Sequence, residues 1–335
     1  MTAGDGGAAP VALTLGDPSG IGGEIALKAW ESLRERLAFF LIGDVAHMGQ
    51  IGARLGVPVQ AIDAPGCARA AMASGLPVLP HPLPAPAEPG RPDPANAAAV
   101  IAIIARGVEL VRSGAASALC TNPIHKKALK DGAGFAFPGH TEYLAHLSGA
   151  ARPVMMLASP ALRVVPVTIH IPLADVPAAM TPALLEETLR LTHAGLVADF
   201  GITAPRIAVA GLNPHAGEGG AMGEEERTVI EPVIARLRAE GMAIAGPLPA
   251  DTMFHPAARA RYDVAVCMYH DQALIPIKTV DFDGGVNVTL GLDFVRTSPD
   301  HGTAYDIAGS GAASPTSLIA ALGLARDMAA ARARG

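Results

Sequence analysis

The chain has 335 residues, of which 50% are hydrophobic and 17% are charged. This composition excludes a disordered chain, which needs low hydrophobicity and high charge. The length corresponds to about two domains, with one large α/β domain as the alternative. The net charge of −6 argues against a general nucleic-acid-binding role, because such proteins carry a strongly basic balance or patch.

Three cysteines, Cys67, Cys120 and Cys267, occur without a C-x-x-C spacing, which excludes a disulfide framework and fits a reducing compartment. No apolar run approaches the roughly 18 residues that span a membrane. Residues 1–10 contain no Lys or Arg and lack the pattern of a secretory signal. We therefore expect a soluble, cytoplasmic protein that binds neither nucleic acid nor membranes.

Short apolar runs predict the strands. Most of these runs are apolar on both faces, which is typical of parallel strands covered by helices on both sides. In chain order they are residues 11–15, 38–42, 117–121, 154–157, 162–169, 206–212, 264–268 and 286–290.

Helical patterns alternate with these runs. Residues 20–36 carry an apolar side chain at every fourth position, and residues 96–112 begin at an N-cap and stop before Gly114. Thr181-Pro182 joins an N-cap to a proline at the first helical position, and Glu224-Glu225-Glu226 opens a further helix with negative charge at its N-terminus. The alternation predicts a doubly wound α/β architecture.

Residues 76–94 break this pattern because they contain eight prolines. Proline lacks the backbone donor and fixes φ, so we expect neither a helix nor a central strand here. We interpret the segment as an extended surface connection inside one domain. A linker between two domains is the alternative.

Three histidines, His170, His215 and His270, each come directly after a predicted strand or within a few residues of its end. Ligand sites in open parallel sheets form at the carboxyl ends of the strands, so the three side chains can converge. Three neutral imidazoles suit a zinc-like divalent metal and leave positions open for a substrate oxygen. Each histidine alone is more often structural, and only their shared placement favours a metal site.

Two further groups suit an anion. Residues 137–143, Phe-Pro-Gly-His-Thr-Glu-Tyr, predict a turn followed by a helix N-terminus, whose free backbone donors bind anions; an ordinary helix cap is the alternative. Lys278 and Arg296 lie in a stretch that we expect to be rich in loops, and such cations bind phosphate or carboxylate. Solvated surface cations are the alternative for this pair.

The turn Gly16-Asp17-Pro18-Ser19-Gly20-Ile21-Gly22 follows the first strand and opens a helix. It lacks the G-x-G-x-x-G spacing of a dinucleotide loop, and the chain has no P-loop motif. We therefore interpret it as a strand-to-helix turn near the site.

Five motifs in this order make the chain resemble the PdxA family, the 4-hydroxythreonine-4-phosphate dehydrogenases of pyridoxal phosphate biosynthesis. The resemblance covers about residues 10–330. Its motifs are the turn 16–22, Pro138-Gly139-His140-Thr141-Glu142, Asn213-Pro214-His215-Ala216-Gly217-Glu218, Tyr269-His270-Asp271-Gln272, and Arg296-Thr297-Ser298-Pro299-Asp300-His301-Gly302-Thr303. Three positions depart from the family pattern: His125 stands where Asn is common, Gly23 where Pro is expected, and Ala273 where Gly is common.

The resemblance implies an isocitrate/isopropylmalate dehydrogenase-like fold, with two α/β/α domains and a cleft, in a homodimer whose active site uses both subunits. We expect residues 1–135 and 285–335 to form the nucleotide-side domain. Residues 136–284 then form the second domain, with the metal ligands and the dimer interface.

The resemblance also implies the site residues. His170, His215 and His270 match the family's metal ligands. The residues that match its substrate contacts are His140, Thr141, Lys278, Asn287 and Arg296.

The implied reaction is NAD(P)-dependent oxidation of 4-phosphooxy-L-threonine at C3. The product is a β-keto acid that decarboxylates to 3-amino-2-oxopropyl phosphate. The implied cofactors are NAD or NADP and one divalent metal per subunit, zinc first, with magnesium, cobalt or manganese as alternatives.

We expect Asp251 and Asp271 to serve either a proton path or the orientation of a ligand histidine. The loop 298–311, through Ser298, Gly302 and Asp306, is our candidate for contact with the dinucleotide.

Three other functions remain open from the sequence. Relatives of the same family resemble dehydrogenases for phosphorylated sugar acids, such as erythronate or threonate 4-phosphate, or for aromatic cis-dihydrodiols. A metal-dependent hydrolase such as a phosphatase also suits three histidines and several aspartates. A non-catalytic binding protein of the same fold is the least favoured, since it leaves this set of side chains unexplained.

Overall fold

The computed structural model describes residues 8–335, so the prediction about residues 1–10 falls mostly outside the described chain. Two compact units are present. The first runs to Pro153 and resumes over Leu292–Ala330, and the second comprises Val154–Gly291 and Ala331–Gly335.

These limits differ from the predicted domain limits at two places. Residues 136–153 belong to the first unit, because the helix that they contain packs on another helix of that unit. Residues 285–291 belong to the second unit, because the strand Val286–Leu290 pairs with the strand Val154–Ala158.

The strands of the described chain follow in chain order. They are β1 (Val11–Thr14), β2 (Phe39–Gly43), β3 (Val59–Ala61), β4 (Leu76–Pro80), β5 (Leu119–Thr121), β6 (Val154–Ala158), β7 (Arg163–Pro166), β8 (Arg206–Ala210), β9 (Ala243–Leu248), β10 (Val264–Cys267), β11 (Val286–Leu290) and β12 (Arg296–Pro299).

The α-helices alternate with them. They are α1 (Gly22–Leu33), α2 (Val45–Leu55), α3 (Ala68–Ala71), α4 (Ala97–Arg112), α5 (Lys126–Ala133), α6 (His140–Ser148), α7 (Val176–Ala179), α8 (Pro182–Ala198), α9 (Glu231–Ala239), α10 (Pro256–Arg259), α11 (His270–Val280) and α12 (Thr316–Arg332). A π-helical turn, Glu226–Ile230, leads into α9.

The strand order confirms the α/β class. The first unit has the order β3-β4-β2-β1-β5-β12, and every neighbouring pair is parallel. The second has the order β11-β6-β7-β10-β8-β9, in which β11–β6 and β6–β7 are antiparallel and the other pairs parallel. Helices cover strands that are buried on both faces, as the continuous apolar runs predict.

The proline-rich segment is partly mispredicted. β4 pairs with β3 on one side and with β2 on the other, so an interior strand contains Pro77 and Pro80. Leu76 donates its N–H to Pro58 on the β3 side and His81 donates to Gly43 on the β2 side. Because successive residues of a strand point their N–H groups to opposite sides, Pro77 faces β2 and Pro80 faces β3. β2 pairs only with residues 78–80 and β3 only with residues 76–78, so neither proline lies where its neighbouring strand needs a donor. Residues 81–93 form no helix or strand and lie within the first unit, as predicted.

The segment Pro94–Arg112 is long and apolar enough to pass a length-and-composition test for a membrane span, contrary to our expectation from apolar runs. One face of α4 is buried, including Val100, Ile103 and Ile104, and the helix packs on β1 and β5. It therefore occupies the position of a core helix of the first unit.

Candidate active site

The strand ends that carry the three histidines are neighbours. β10 lies between β7 and β8 and is parallel to both. Thr168 Oγ1 donates to Met268 O at 2.8 Å, which joins the ends of β7 and β10. Gln272 Oε1 accepts from Met268 N and its Nε2 donates to Gly211 O at 2.8 Å, which joins β10 to the end of β8.

His170 and His270 lie side by side. Their ring centroids are 5.9 Å apart, and both line a cavity of about 260 Å³ together with Thr168, Tyr269 and Asp271. His270 Nδ1–H donates to Asp271 Oδ1 at 2.7 Å, which leaves Nε2 as the nitrogen available to a ligand.

His215 lies in a turn of unusual backbone geometry. His215, Ala216 and Glu218 all have positive φ, as do the glycines between and after them. Glu226, which is 1% exposed, holds the start of this turn by accepting from Asn213 N at 2.8 Å and from Asn213 Nδ2 at 2.9 Å.

Residues with a strained backbone conformation lie in the loops for which the sequence predicts ligand binding. The non-glycine residues with positive φ in the described chain are His170, His215, Ala216, Glu218 and Ala304. Each such residue costs about 1–3 kcal/mol and is kept most often at functional sites. Two of the five are predicted metal ligands, two more follow His215, and Ala304 lies in the loop predicted to contact the dinucleotide.

The donor chemistry fits a divalent metal, because two imidazoles and an orienting carboxylate border one cavity. The complete predicted ligand set is not assembled. Within residues 8–335, no three His, Cys, Asp or Glu side chains form a group that could hold a metal ion. The structure brings His170 and His270 together. His215 lies in the turn that follows β8, the strand next to β10.

The two candidate aspartates differ in their surroundings. Asp271 contacts His270, which favours the orienting role over the proton path. Asp251 is exposed on the short 3-10 turn Ala250–Thr252, which contacts the turn Pro214–Gly220 that contains His215.

The first unit contains a buried cation. Arg296 is 3% exposed and lies on β12, not in the loop that the sequence predicts. Its Nη2 donates to Thr121 Oγ1 at 2.7 Å. Burial lowers the pKa of Arg296 to about 10, so the side chain remains protonated at neutral pH, and a solvated surface cation is excluded here.

A helix N-terminus lies near this cation. α6 begins at His140, as the Pro-Gly turn predicts, and its N-cap Gly139 offers no side chain to the first backbone donors. His140 Nε2 is buried without a hydrogen-bond partner. Burial, with the charges of Arg296 and Lys126, lowers the pKa of His140 well below its ordinary value, so its imidazole is neutral.

Lys126 is a site residue that sequence reasoning missed. A Cβ added to Gly139 would lie 3.4 Å from Lys126 Nζ, so this ammonium borders the N-terminus of α6. The signal in the sequence is its position directly after His125, at the start of α5.

Lys278 and Asn287, also predicted substrate contacts, belong to the second unit. Lys278 is half-buried in the last turn of α11, with Nζ 5.5 Å from the ring centroid of Phe282. Asn287 is half-buried in β11. Thr141 is half-buried in the first turn of α6.

The predicted dinucleotide loop is partly strand. Ser298 belongs to β12 and is 8% exposed, whereas Gly302 and Asp306 are exposed in the turns that follow. The turn 16–22 lies beside this loop, because Ile21 N donates to Thr303 O at 3.1 Å.

Comparison with known proteins identifies the family of the chain. The family model described as pyridoxal phosphate biosynthetic protein PdxA matches residues 35–325. A 4-hydroxythreonine-4-phosphate dehydrogenase from Paracoccus denitrificans is 60% identical over 330 residues, covering 97% of this chain and 99% of the relative.

Two solved structures cover nearly the whole chain. The 4-hydroxythreonine-4-phosphate dehydrogenase from Klebsiella pneumoniae is 37% identical, with a TM-score of 0.87 over 97% of this chain and 99% of that one. A terephthalate 1,2-cis-dihydrodiol dehydrogenase from Burkholderia xenovorans is less similar, with 30% identity and a TM-score of 0.66 over 96% and 98%. With a family model matched over most of its length and a relative sharing three residues in five, this chain belongs to the PdxA family.

Proposed function

We propose that the protein catalyses the NAD(P)-dependent, divalent-metal-assisted oxidation of 4-phosphooxy-L-threonine at C3. The β-keto acid that forms then decarboxylates to 3-amino-2-oxopropyl phosphate, a step of pyridoxal phosphate biosynthesis. The observation that carries the substrate assignment is the buried Arg296 near the N-terminus of α6, in a chain whose relatives are named for a phosphorylated amino acid.

The cluster around α6 suits a phosphate. Arg296 supplies a fixed guanidinium that Thr121 orients, and Lys126 supplies a second positive charge. The first turn of α6 adds backbone donors from a 9-residue helix without a side-chain cap. The neutral imidazole of His140 carries one ring N–H, which can donate a hydrogen bond to a phosphate oxygen. We assign Thr141, Lys278 and Asn287 to the same substrate.

We assign His170, His215 and His270 to the metal, with zinc as the first candidate and magnesium, cobalt and manganese as alternatives. A divalent metal, when bound, supplies the positive charge that lowers the pKa of the substrate hydroxyl and later polarises the ketone. Asp271 fixes the tautomer of His270, and the neutral imidazoles leave the charge of the metal undiminished.

We assign the exposed loop after β12, including Gly302 and Asp306, to the dinucleotide. NAD or NADP supplies the hydride acceptor when bound. The chain itself supplies position: Arg296, Lys126 and α6 bind the phosphate of the substrate, and Asp271 orients His270. Asp251 remains a candidate for the proton path.

We also propose a homodimer in which both subunits contribute to the active site. Several large apolar side chains of the second unit are exposed, most strongly Phe282 (74%), Leu173 (67%) and Ile275 (61%). Leu173 and Ile171 line the cavity of His170. A second copy of the chain would cover this apolar surface next to the candidate ligands. We also propose a cytoplasmic setting, in which the free thiols Cys67, Cys120 and Cys267 would stay reduced.

Two alternatives have specific support. The dihydrodiol dehydrogenase from Burkholderia xenovorans is similar in fold over 96% of this chain, so an aromatic cis-dihydrodiol is the second candidate substrate. A phosphorylated sugar acid would occupy the same anion site. A phosphatase is less favoured, since the relatives are named dehydrogenases.

The deciding experiment follows NADH formation at 340 nm with 4-phosphooxy-L-threonine, with and without a chelator and after metal is restored. Erythronate 4-phosphate, threonate 4-phosphate and a cis-dihydrodiol serve as competing substrates, and free phosphate is measured in parallel. We expect metal-dependent NADH formation with the phosphorylated amino acid. Release of phosphate without NADH would replace the dehydrogenase by a hydrolase.

A further inference from the structure

The loop after β12 is attached to the start of α1 by a buried carboxylate. Asp17 is 6% exposed, and its Oδ2 accepts a hydrogen bond from Tyr305 Oη at 2.9 Å. Its Oδ1 accepts from Ser19 N at 2.9 Å. The ring of Tyr305 also meets the His125 ring edge-to-face, with centroids 5.3 Å apart. The loop is thus held at its beginning, next to the contact between Ile21 and Thr303.

A second attachment holds the far end of the loop. Lys28 Nζ donates to Gly311 O at 2.7 Å and to Ala313 O at 2.6 Å. Glu24, which is 4% exposed, accepts from Ala313 N at 3.0 Å and from Lys28 Nζ at 2.9 Å. Glu24 and Lys28 are one turn apart on α1, so a single helix face binds the backbone of residues 311–313.

The proline-rich segment, residues 76–94, packs against the loop at two further points. A Cβ on Gly309 would lie 2.8 Å from Pro89 Cβ, and one on Gly90 would lie 3.0 Å from Tyr305 O. Ser19 Oγ in turn donates to Arg91 O at 2.8 Å. Between these attachments, Gly302, Asp306 and Gly309 remain exposed.

We propose that Asp17, Tyr305 and the Glu24–Lys28 pair are positioning residues that hold residues 301–313 as a preformed docking surface for the dinucleotide. This inference rests on the proposed assignment of that loop to NAD or NADP. A loop that is already in its binding conformation avoids the loss of affinity that follows when only a fraction of molecules is competent to bind. None of these residues needs to touch the substrate for this effect.

The test uses Tyr305→Phe, which removes one hydroxyl and keeps the ring on His125. Tyr262→Phe is the matched control, because Tyr262 is also half-buried and donates to Met253 O at 2.9 Å, in the second unit. Lys28→Met loosens the other end of the loop, and Lys127→Met, on the exposed Lys127–Asp131 pair, is its control.

Amide hydrogen exchange and calorimetric titration with NAD⁺ and NADP⁺ are measured on the full-length variants. We expect faster exchange over residues 301–313 in Tyr305→Phe and Lys28→Met. We also expect the Kd of the dinucleotide to rise about tenfold, the size of one lost hydrogen bond to a charged group. The kcat at saturating dinucleotide stays within about twofold, and both controls match the unaltered protein.

Each other result overturns a stated step. Unchanged exchange in Tyr305→Phe and Lys28→Met would refute the attachment itself. Faster exchange with an unchanged Kd would refute the link between the loop and the dinucleotide. If the unaltered protein bound neither dinucleotide, the proposed function would fail, and the exchange data would still decide whether the loop is held in this way.

Discussion

Replacing Arg296 by methionine should weaken catalysis while leaving the fold as stable as before or more stable. Burial lowers the pKa of Arg296 to about 10, which corresponds to a cost on the order of 3 kcal/mol for keeping the charge in the folded protein. Methionine fills a similar volume without that cost. The hydrogen bonds that Nε and Nη2 donate to Thr121 Oγ1 offset about 1 kcal/mol each, so we expect the free energy of unfolding to stay the same or to rise by at most about 1 kcal/mol.

The same change removes a charge-assisted hydrogen bond to the proposed phosphate. Such a bond contributes about 1.5–3 kcal/mol, so kcat/KM for 4-phosphooxy-L-threonine should fall roughly 10- to 150-fold. The non-phosphorylated 4-hydroxy-L-threonine should be affected much less, because it has no group for Arg296 to bind. The ratio of the two kcat/KM values therefore reports the contact itself.

Steady-state kinetics with both substrates and urea denaturation at neutral pH check this pair of effects. Arg163→Met is a suitable control. Arg163 is a partly buried arginine, but it lies at the start of β7, at the end of the strand opposite to His170. An equal loss for both substrates would show that Arg296 does not bind the phosphate. A clear loss of stability would show that the folded protein stabilises the charge of Arg296 more than its lowered pKa implies.

Further predictions concern the metal, acid stability and assembly. His215→Ala should reduce the metal bound per subunit, measured by plasma mass spectrometry, and nearly abolish turnover; an unchanged metal content would remove His215 from the ligand set. Because His140 stays neutral in the folded protein, the unfolded chain takes up a proton that the folded chain excludes once the pH falls below about 6.5. Stability should therefore decrease with acid, and His140→Gln should make this decrease shallower in urea titrations at several pH values; parallel curves would contradict the assigned protonation. Phe282→Asp combined with Ile275→Asp should convert a dimer into a monomer in light scattering, whereas an unchanged mass would place the interface elsewhere. If both subunits form each site, mixing His215→Ala with Arg296→Met should restore part of the activity, and a strict lack of rescue would favour a site within one chain.

The sequence predicted much of the arrangement because apolar runs and strand ends are local signals. The α/β class is confirmed, and the histidines follow neighbouring strands as expected. β12 was missed because Arg296-Thr297-Ser298-Pro299 has the polar composition of a loop, although the fold buries it beside β5. β4 was missed because the tolerance for its prolines depends on register with two other strands, which no local pattern reveals.

Contacts between distant segments account for the remaining differences. Lys126 borders α6 only once α5 and α6 are folded, and the hydrogen bond from Tyr305 to Asp17 joins residues 288 positions apart. The three predicted metal ligands have similar positions at strand ends. These positions predict that His170 lies beside His270, but they do not determine the direction of a side chain such as His215 in a turn of positive φ.

The discontinuous first unit has a consequence for biosynthesis. The ribosome completes residues 154–291 before it makes β12 and α12, so most of the second unit is available to fold while the first still lacks β12. β5 must remain without its outer neighbour until the last part of the chain emerges. A nascent chain stalled just before Leu292 would therefore expose an unpaired strand edge, a surface on which chaperones act and from which aggregation begins.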